Sequence, residues 1–163
     1  MINIRIQEPA AEAAVLTDLV FPEQVIIWSM RRWSSVSQLG RTQAWLCVEA
    51  TLSRACGGGG DRLAAGALDQ VLLTLAHRAR GPFLCHGMRC PAIAPGERAL
   101  IDLIAASQLG DRHHAERAAR RLLPAAFADM LLENVAIIGA ALELRFPALP
   151  PRYAMGAAGR TLH

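Results

Sequence analysis

Two cysteines and a histidine lie close together in the linker Cys85-His86-Gly87-Met88-Arg89-Cys90-Pro91. Thiolate sulfur and imidazole nitrogen are the ligands that zinc prefers, and two neighbouring thiols can also form a redox pair. Cys85 and Cys90 are spaced so that both could reach one ion from a loop, and His86 or His77 could add a third ligand. Any chemistry in this chain is therefore expected first at this linker.

A fourth ligand is hard to find for such an ion. Cys56 precedes the predicted third helix and His77 lies near its end, and sixteen helical residues separate the two ends by roughly 24 Å. His113 and His114 lie a further helix away. Four interpretations remain: an open three-ligand site, a site shared by two subunits, a redox thiol pair, or cysteines that are small buried hydrophobic residues.

The stretch from Asp111 to Leu123 predicts a basic amphipathic helix. Its side chains Arg117, Arg120 and Arg121 could contact phosphates, and the Gly110 turn before it faintly suggests helix-turn-helix geometry. Glu116 is spaced to pair with Arg120, however, and basic residues suit the C-terminal turn of any helix. We therefore favour a solvated face over a DNA-reading helix.

Tryptophan and arginine cluster in the first predicted helix, as Trp28, Arg31, Arg32 and Trp33. Both residue types are enriched at the centres of protein interfaces, so these four residues are candidates for binding a protein partner. In this interpretation Arg31 and Arg32 face outward. The alternative is that Trp28, Trp33 and Trp45 all belong to the core between the first two helices.

Several classes of enzyme are excluded or disfavoured. All 17 basic residues are arginine, as is typical of a bacterial genome rich in G and C. A chain without lysine contains neither a Schiff-base lysine nor the lysine of a phosphate-binding loop. The sequence also lacks a Gly-x-Ser-x-Gly elbow and a zinc-protease helix pattern. We therefore expect a non-catalytic protein.

The composition predicts an all-α fold. Hydrophobic residues make up 53% of the 163 residues, and much of this share is alanine and leucine, which favour helices. Helix-start signals at Pro22, Asp61, Pro95, Asp111 and Pro124 predict an antiparallel bundle of five to six helices over residues 21–146. A weakly ordered N-terminal arm, 1–20, precedes the bundle, and Ile4 and Ile6 alternate in it with polar residues as in a short strand.

A proline-rich C-terminal tail, 147–163, follows the predicted bundle. Its segment from Pro147 to Tyr153 contains a Pro-x-x-Pro-x-Arg and a Pro-Pro-x-Tyr pattern. Such segments can dock into aromatic grooves of other domains. The prolines can equally end the last helix and lay the tail along the bundle, and this is the interpretation that we favour.

Taken together, these patterns predict a cytoplasmic adaptor or regulator that binds a protein partner and forms a homodimer. Four cysteines in a chain of this size do not indicate a disulfide scaffold, and the longest wholly apolar run, 135–142, is too short to cross a bilayer. The net charge of +3 is too small to indicate nucleic acid. A zinc or thiol-redox protein is the alternative from a different class, and a DNA-binding regulator is the third.

Elemental analysis of protein purified without an affinity tag or a chelator separates these hypotheses. A metal site in the linker predicts zinc near one equivalent per chain, and a site shared by two subunits predicts half an equivalent. Buried structural cysteines predict no metal and thiols that react only after unfolding. Metal-free protein would therefore contradict the metal hypothesis.

Overall fold

The computed structural model describes residues 4–6, 14–57 and 61–153. Most of the chain is helical, which confirms the predicted all-α bundle. The elements in chain order are β1 (Ile4–Ile6), α1 (Phe21–Val36), α2 (Arg41–Cys56), α3 (Asp61–Arg78), β2 (Phe83–Cys85), α4 (Pro95–Gln108), α5 (Arg112–Leu122) and α6 (Ala125–Glu143).

The helices pack around one continuous apolar core. α1 lies against α2, α2 against α3, and α3 against α6, while α4 and α5 cover another side of α6. The core is made mainly of leucine, isoleucine, valine and alanine, and its largest fully buried apolar members include Trp33, Met30, Ile26, Leu72 and Leu100. A helical protein of this size can bury such a core without disulfides.

A small parallel sheet joins the start of the chain to the linker after α3. β1 pairs with β2 in the register Ile4 with Phe83 and Ile6 with Cys85. Val15 also forms an isolated bridge with Ala92. The predicted strand at Ile4 and Ile6 is thus present, and residues 14–20 of the predicted arm pack on the linker. Residues 1–3 and 7–13 of that arm lie outside the described residues.

A buried ion pair joins α1 to α4, and the same arginine also binds the linker between β2 and α4. The Arg31 guanidinium donates Nε to Glu97 Oε1 at 2.7 Å and Nη2 to Glu97 Oε2 at 2.9 Å, and neither side chain is exposed. Its remaining donors reach the backbone carbonyls of Gly87, Cys90 and Ala92. One arginine side chain thus holds three points of the linker.

The Glu97 carboxylate also accepts hydrogen bonds from backbone groups at the start of α4. It is the third residue of the helix, where its carboxylate accepts the backbone N–H of Ala94 at 2.9 Å and, across the fold, that of His86 at 3.0 Å. The hydrogen bond from the Ala94 N–H to the Glu97 carboxylate is half of a capping box and stabilises the start of the helix. A Cβ at Gly96 would overlap the backbone of Leu84, so glycine permits α4 to begin directly against β2.

α1 begins in the same way, with proline and then glutamate in its first turn. Glu23 accepts the backbone N–H of Val20 at 2.9 Å. The same buried carboxylate binds the guanidinium of Arg152 through two contacts, at 2.7 and 2.8 Å. The helix thus starts at the predicted signal, Pro22, and Glu23 in addition anchors the C-terminal tail.

The tail lies along the bundle as far as Tyr153. Leu149 is buried, and its N–H donates to Gln108 Oε1 at 2.8 Å. The Tyr153 ring stacks on His114 with 3.8 Å between the ring centroids. The Pro-x-x-Pro-x-Arg and Pro-Pro-x-Tyr patterns would need Arg152 and Tyr153 to contact another protein. In this structure, both side chains make contacts within the chain. Residues 154–163 of the predicted tail lie outside the described residues.

Among the described residues, α6 is the one helix that is long and apolar enough to cross a membrane by length and composition. The helix has 19 residues, and an 18-residue window within it has a mean hydropathy of 1.6 and is 33% buried. One such helix does not by itself indicate a membrane span, because the buried core helix of a bundle passes the same test. α6 packs against α3, α4 and α5.

Replacing Arg31 with methionine should strongly destabilise the fold. The variant leaves the Glu97 carboxylate buried without its counter-charge, and such a change costs about 3–5 kcal/mol. The free energy of unfolding, measured by chemical denaturation with circular dichroism, should fall by that amount. The control is Arg112→Met, which removes an exposed ion pair with Glu116 and should change the free energy of unfolding far less, because water screens exposed charges. Equal small losses in both variants would contradict the assigned role of Arg31.

Candidate partner-binding groove

An open groove lies between α1 and α2, and we call it the α1–α2 groove. Its volume is about 340 Å³. The stripe that α1 contributes consists of residues spaced by four, three and four positions, which is one face of a helix. α2 forms the opposite wall, and one linker side chain borders the groove. The lining residues are Phe21, Val25, Trp28, Arg32, Thr51, Arg54, Ala55 and Met88.

Aromatic side chains form one wall of the groove. The rings of Phe21 and Trp28 meet edge to face, with 6.3 Å between centroids, and Phe21 also meets Phe146 at 5.8 Å. Phe21 is 48% exposed and Met88 is 40% exposed. Methionine is a flexible, polarisable side chain that adapts to different apolar partners. The groove thus offers an apolar surface that the fold leaves in contact with water.

Two guanidinium groups, from Arg32 and Arg54, give this apolar surface a positive charge. Within the described part of the chain, neither of them makes a hydrogen bond or an ion pair, and no carboxylate lines the groove. The one hydroxyl in the lining, Thr51 Oγ1, donates to the Cys47 carbonyl at 2.8 Å. The groove therefore contains groups that bind an anion and an apolar surface, but no activated nucleophile among its lining residues.

Of the four residues of the predicted tryptophan–arginine surface, two line the groove and two are buried. Trp28 and Arg32 lie in the α1–α2 groove. Trp33 is buried and donates Nε1 to Asp69 Oδ1 at 2.7 Å. The outward placement of Arg31 is wrong, since its guanidinium is buried against Glu97. An arginine can be buried here because a carboxylate and three carbonyls satisfy its donors.

The predicted metal ligands are not gathered into one site. Cys85 is buried in β2, and Cys90 is half-buried and donates its N–H to the Gly87 carbonyl. His86 is buried next to Cys85, whereas His77 is exposed at the end of α3 and lines a separate cavity with Trp33. Across residues 4–6, 14–57 and 61–153, no three histidine, cysteine or acidic side chains converge as metal ligands would.

The environment of Cys85 is also unfavourable for thiol chemistry. Burial, and to a lesser extent the nearby Glu97 carboxylate, raise the pKa of the Cys85 thiol to about 12 against the opposing effects of Ser34 and Arg31. The thiolate is the reactive form in redox exchange and in metal binding. A thiol with this pKa remains protonated at neutral pH, which fits a packed core residue.

The basic helix α5 carries its charges on an exposed face. Arg117 contacts the rings of His113 and His114. Glu116 pairs with Arg112 at 2.7 Å and not with Arg120, to which its spacing also allowed a pair. Arg120 and Arg121 are exposed in the last turn. This arrangement suits a solvated helix face, and binding of DNA by Arg117, Arg120 and Arg121 stays a prediction.

Sequence reasoning missed the burial of the three buried acids among the described residues, and it missed the basic residue on the far wall of the groove. Glu97, Glu23 and Asp69 are all buried with partners, and Arg54 completes the positive charge of the groove. Proline followed by glutamate in a first turn is a visible signal for the helix start. No local pattern shows that Arg31 reaches the Glu97 carboxylate, 66 positions further along the chain.

Comparison of the chain with protein-family models, with curated proteins and with solved structures gives no match. The groove is therefore interpreted from its own chemistry.

The raised pKa of Cys85 predicts an unreactive thiol and a pH-dependent stability. At pH 8 the thiolate fraction is about 10⁻⁴, compared with about 10⁻¹ for a thiol with the ordinary pKa. Alkylation followed by mass spectrometry should label Cys85 only in unfolded protein. Between pH 9 and 12 the unfolded state loses a proton that the folded state keeps, so the free energy of unfolding falls as pH rises, by about 1.4 kcal/mol per unit.

Cys85→Ala is the control for the pH dependence, since it lacks the group that titrates. Its stability should show a smaller decline over that range than the unaltered protein shows. Rapid labelling of Cys85 in the folded protein at pH 8 would contradict the burial that we describe.

Proposed function

We propose that this protein is a non-catalytic adaptor or regulator that binds an acidic amphipathic segment of a partner protein in the α1–α2 groove. The observation that carries the proposal is the pairing of an exposed aromatic wall with two guanidinium groups, Arg32 and Arg54, that have no partner among the described residues. Apolar side chains of the segment would contact Phe21 and Trp28, and its carboxylates would pair with the arginines.

The chemistry of the lining supports a protein partner. Tryptophan and arginine are the residues that most often dominate binding energies, and Trp28 and Arg32 lie one helical turn apart on the same stripe. A helix whose apolar residues recur every three or four positions fits such a stripe between two helices. An unpaired arginine at the edge of an apolar surface favours a carboxylate opposite it.

The groove is also held in shape before binding. Met88 belongs to the linker whose carbonyls at Gly87, Cys90 and Ala92 accept from Arg31. α1 contributes both Arg31 to this interaction and Arg32 to the groove. A surface that needs no reordering loses less entropy on binding, and this favours affinity.

Homodimer formation and a cytoplasmic location complete the proposal and rest on the sequence patterns alone. The zinc, thiol-redox and DNA alternatives gain no support from the arrangement of their residues. No second function is therefore proposed.

Selection from a displayed random peptide library tests the groove directly. Peptides that bind the protein should be enriched in apolar and acidic residues at helical spacing. Their affinity, measured by fluorescence anisotropy, should fall about tenfold for each of Arg32→Gln and Arg54→Gln, and by about thirtyfold or more for Trp28→Ala, because a buried aromatic anchor is worth about 2 kcal/mol or more.

The matched control is Arg120→Gln/Arg121→Gln, which removes two exposed guanidinium groups from α5 and should leave the affinity unchanged. Circular dichroism should show that each variant keeps the helical content of the unaltered protein. Selected peptides without acidic residues, or equal weakening by the α5 variant, would contradict the proposed groove.

A further inference from the structure

A second unpartnered surface lies on the outside of α6, and we call it the α6 outer face. Its residues follow alternating steps of four and three positions, which trace one stripe along the helix. Three large apolar side chains on it are open to water: Met130 is 40% exposed, Ile137 is 43% exposed and Leu144 is 71% exposed. The stripe consists of Ala126, Met130, Glu133, Ile137, Ala140 and Leu144, and every one of them is exposed.

The residues of α6 on this face carry negative charge, and none of them is basic. Asp129, Glu133 and Glu143 are exposed, and none of these carboxylates makes a hydrogen bond or an ion pair within the described part of the chain. Arg112 of α5, which is paired with Glu116, lies near Asp129 and leaves the net charge here negative. Arg145, the next basic residue along the chain, donates Nη2 to the Gly57 carbonyl at 2.8 Å. Asp129 and Glu143 are separated by two heptads, so they lie on the same flank of the stripe.

A second copy of the chain is a poor occupant of this face. In a parallel pairing of two α6 helices, Glu133 of one copy lies opposite Glu133 of the other. In the antiparallel pairing that superposes the stripe on itself, centred on residue 135, Glu133 of one copy lies opposite Ile137 of the other. The parallel arrangement therefore places like charges opposite each other, and the antiparallel arrangement covers a carboxylate with an apolar side chain, and both are unfavourable.

A bilayer is equally unsuited to cover the stripe. Glu133 lies in its middle, and a charged side chain is strongly unfavourable in a hydrocarbon environment. The three carboxylates would also be repelled by anionic lipid headgroups, which attract basic segments. The three carboxylates of the α6 outer face therefore favour a positively charged protein surface as the binding partner.

We propose that the α6 outer face docks a basic amphipathic helix of another protein. Apolar residues of that helix, spaced by three and four positions, would pack against Met130, Ile137 and Leu144. Arginine or lysine residues fourteen positions apart on its flank would pair with Asp129 and Glu143. This interaction is independent of what the α1–α2 groove binds, since the two surfaces carry opposite charge and share no residue.

Binding of two designed peptides tests the proposal. The first is a helical peptide of about three heptads with leucine at the core positions and arginine on the flanks, and the second has glutamate in place of every arginine. Fluorescence anisotropy should show binding of the basic peptide, which weakens with added salt, and no binding of the acidic one. Glu133→Gln/Glu143→Gln should weaken the basic peptide about tenfold, and Ile137→Ser by a similar factor.

Three control variants show whether these losses are specific to the face. Leu39→Ser replaces an apolar residue that is 76% exposed in the turn between α1 and α2, and it should leave binding unchanged. Glu49→Gln replaces a carboxylate on α2 and should do the same. Arg32→Gln/Arg54→Gln should also leave binding of the basic peptide unchanged. A failure of the α6 proposal can therefore be distinguished from a failure of the proposed function of the α1–α2 groove.

Three results would overturn the proposal. Equal affinity for the acidic peptide would show that charge does not select the occupant. A dimer in light scattering that dissociates on Ile137→Ser would identify a second copy as the occupant. Binding to vesicles of anionic phospholipid that Ile137→Ser abolishes would identify a membrane instead.

Discussion

The buried pair of Arg31 and Glu97 is the interaction on which the arrangement of the bundle depends. It joins the middle of α1 to the first turn of α4, and through the remaining donors of Arg31 it fixes the linker from Gly87 to Ala92. The His86 N–H, which Glu97 accepts, extends the same network to the end of β2. A linker with little regular structure thus gains a defined path across the end of the bundle.

Burying two charges is costly, and the surrounding structure shows how the cost is offset. Each Glu97 oxygen accepts from the guanidinium and from a backbone N–H, so the carboxylate is fully hydrogen-bonded. Glu23 has the same role at α1, where its carboxylate accepts the Val20 N–H at the start of the helix and binds Arg152. Two helix N-termini therefore accommodate two of the three buried carboxylates among the described residues, and the third, Asp69, lies within α3 and accepts from Trp33. Such networks favour one arrangement of the elements over its competitors, because a slipped helix would leave a charge unpaired.

Much of the fold follows from local signals in the sequence. Pro22 and Pro95 mark first turns, and Asp111 accepts the His114 N–H as the predicted N-cap of α5. The long-range partners do not follow, because helical spacing shows which residues share a face but not what that face meets. Arg31 and Arg32 are neighbours of the same type, yet one is buried and the other lines the α1–α2 groove. Similarly, Glu116 lies one turn from both Arg112 and Arg120, and only the fold decides that it pairs with Arg112.

The candidate site was partly predictable for the same reason. Composition indicated that tryptophan and arginine in α1 form a binding surface, and Trp28 and Arg32 do line the groove. The contributions of Arg54 and Met88 required the packing of α2 and the path of the linker. Both proposed surfaces rest on side chains that the fold leaves unpaired, positive between α1 and α2 and negative along α6.

Amide hydrogen exchange of the linker tests the central claim most directly. If Arg31 and Glu97 fix this segment, the amides of His86, Cys90 and Ala94 should exchange as slowly as those in the middle of α1 and α4, since they open only with the bundle. Exchange of these amides at rates close to those of an unstructured peptide, while the two helices remain protected, would contradict the account.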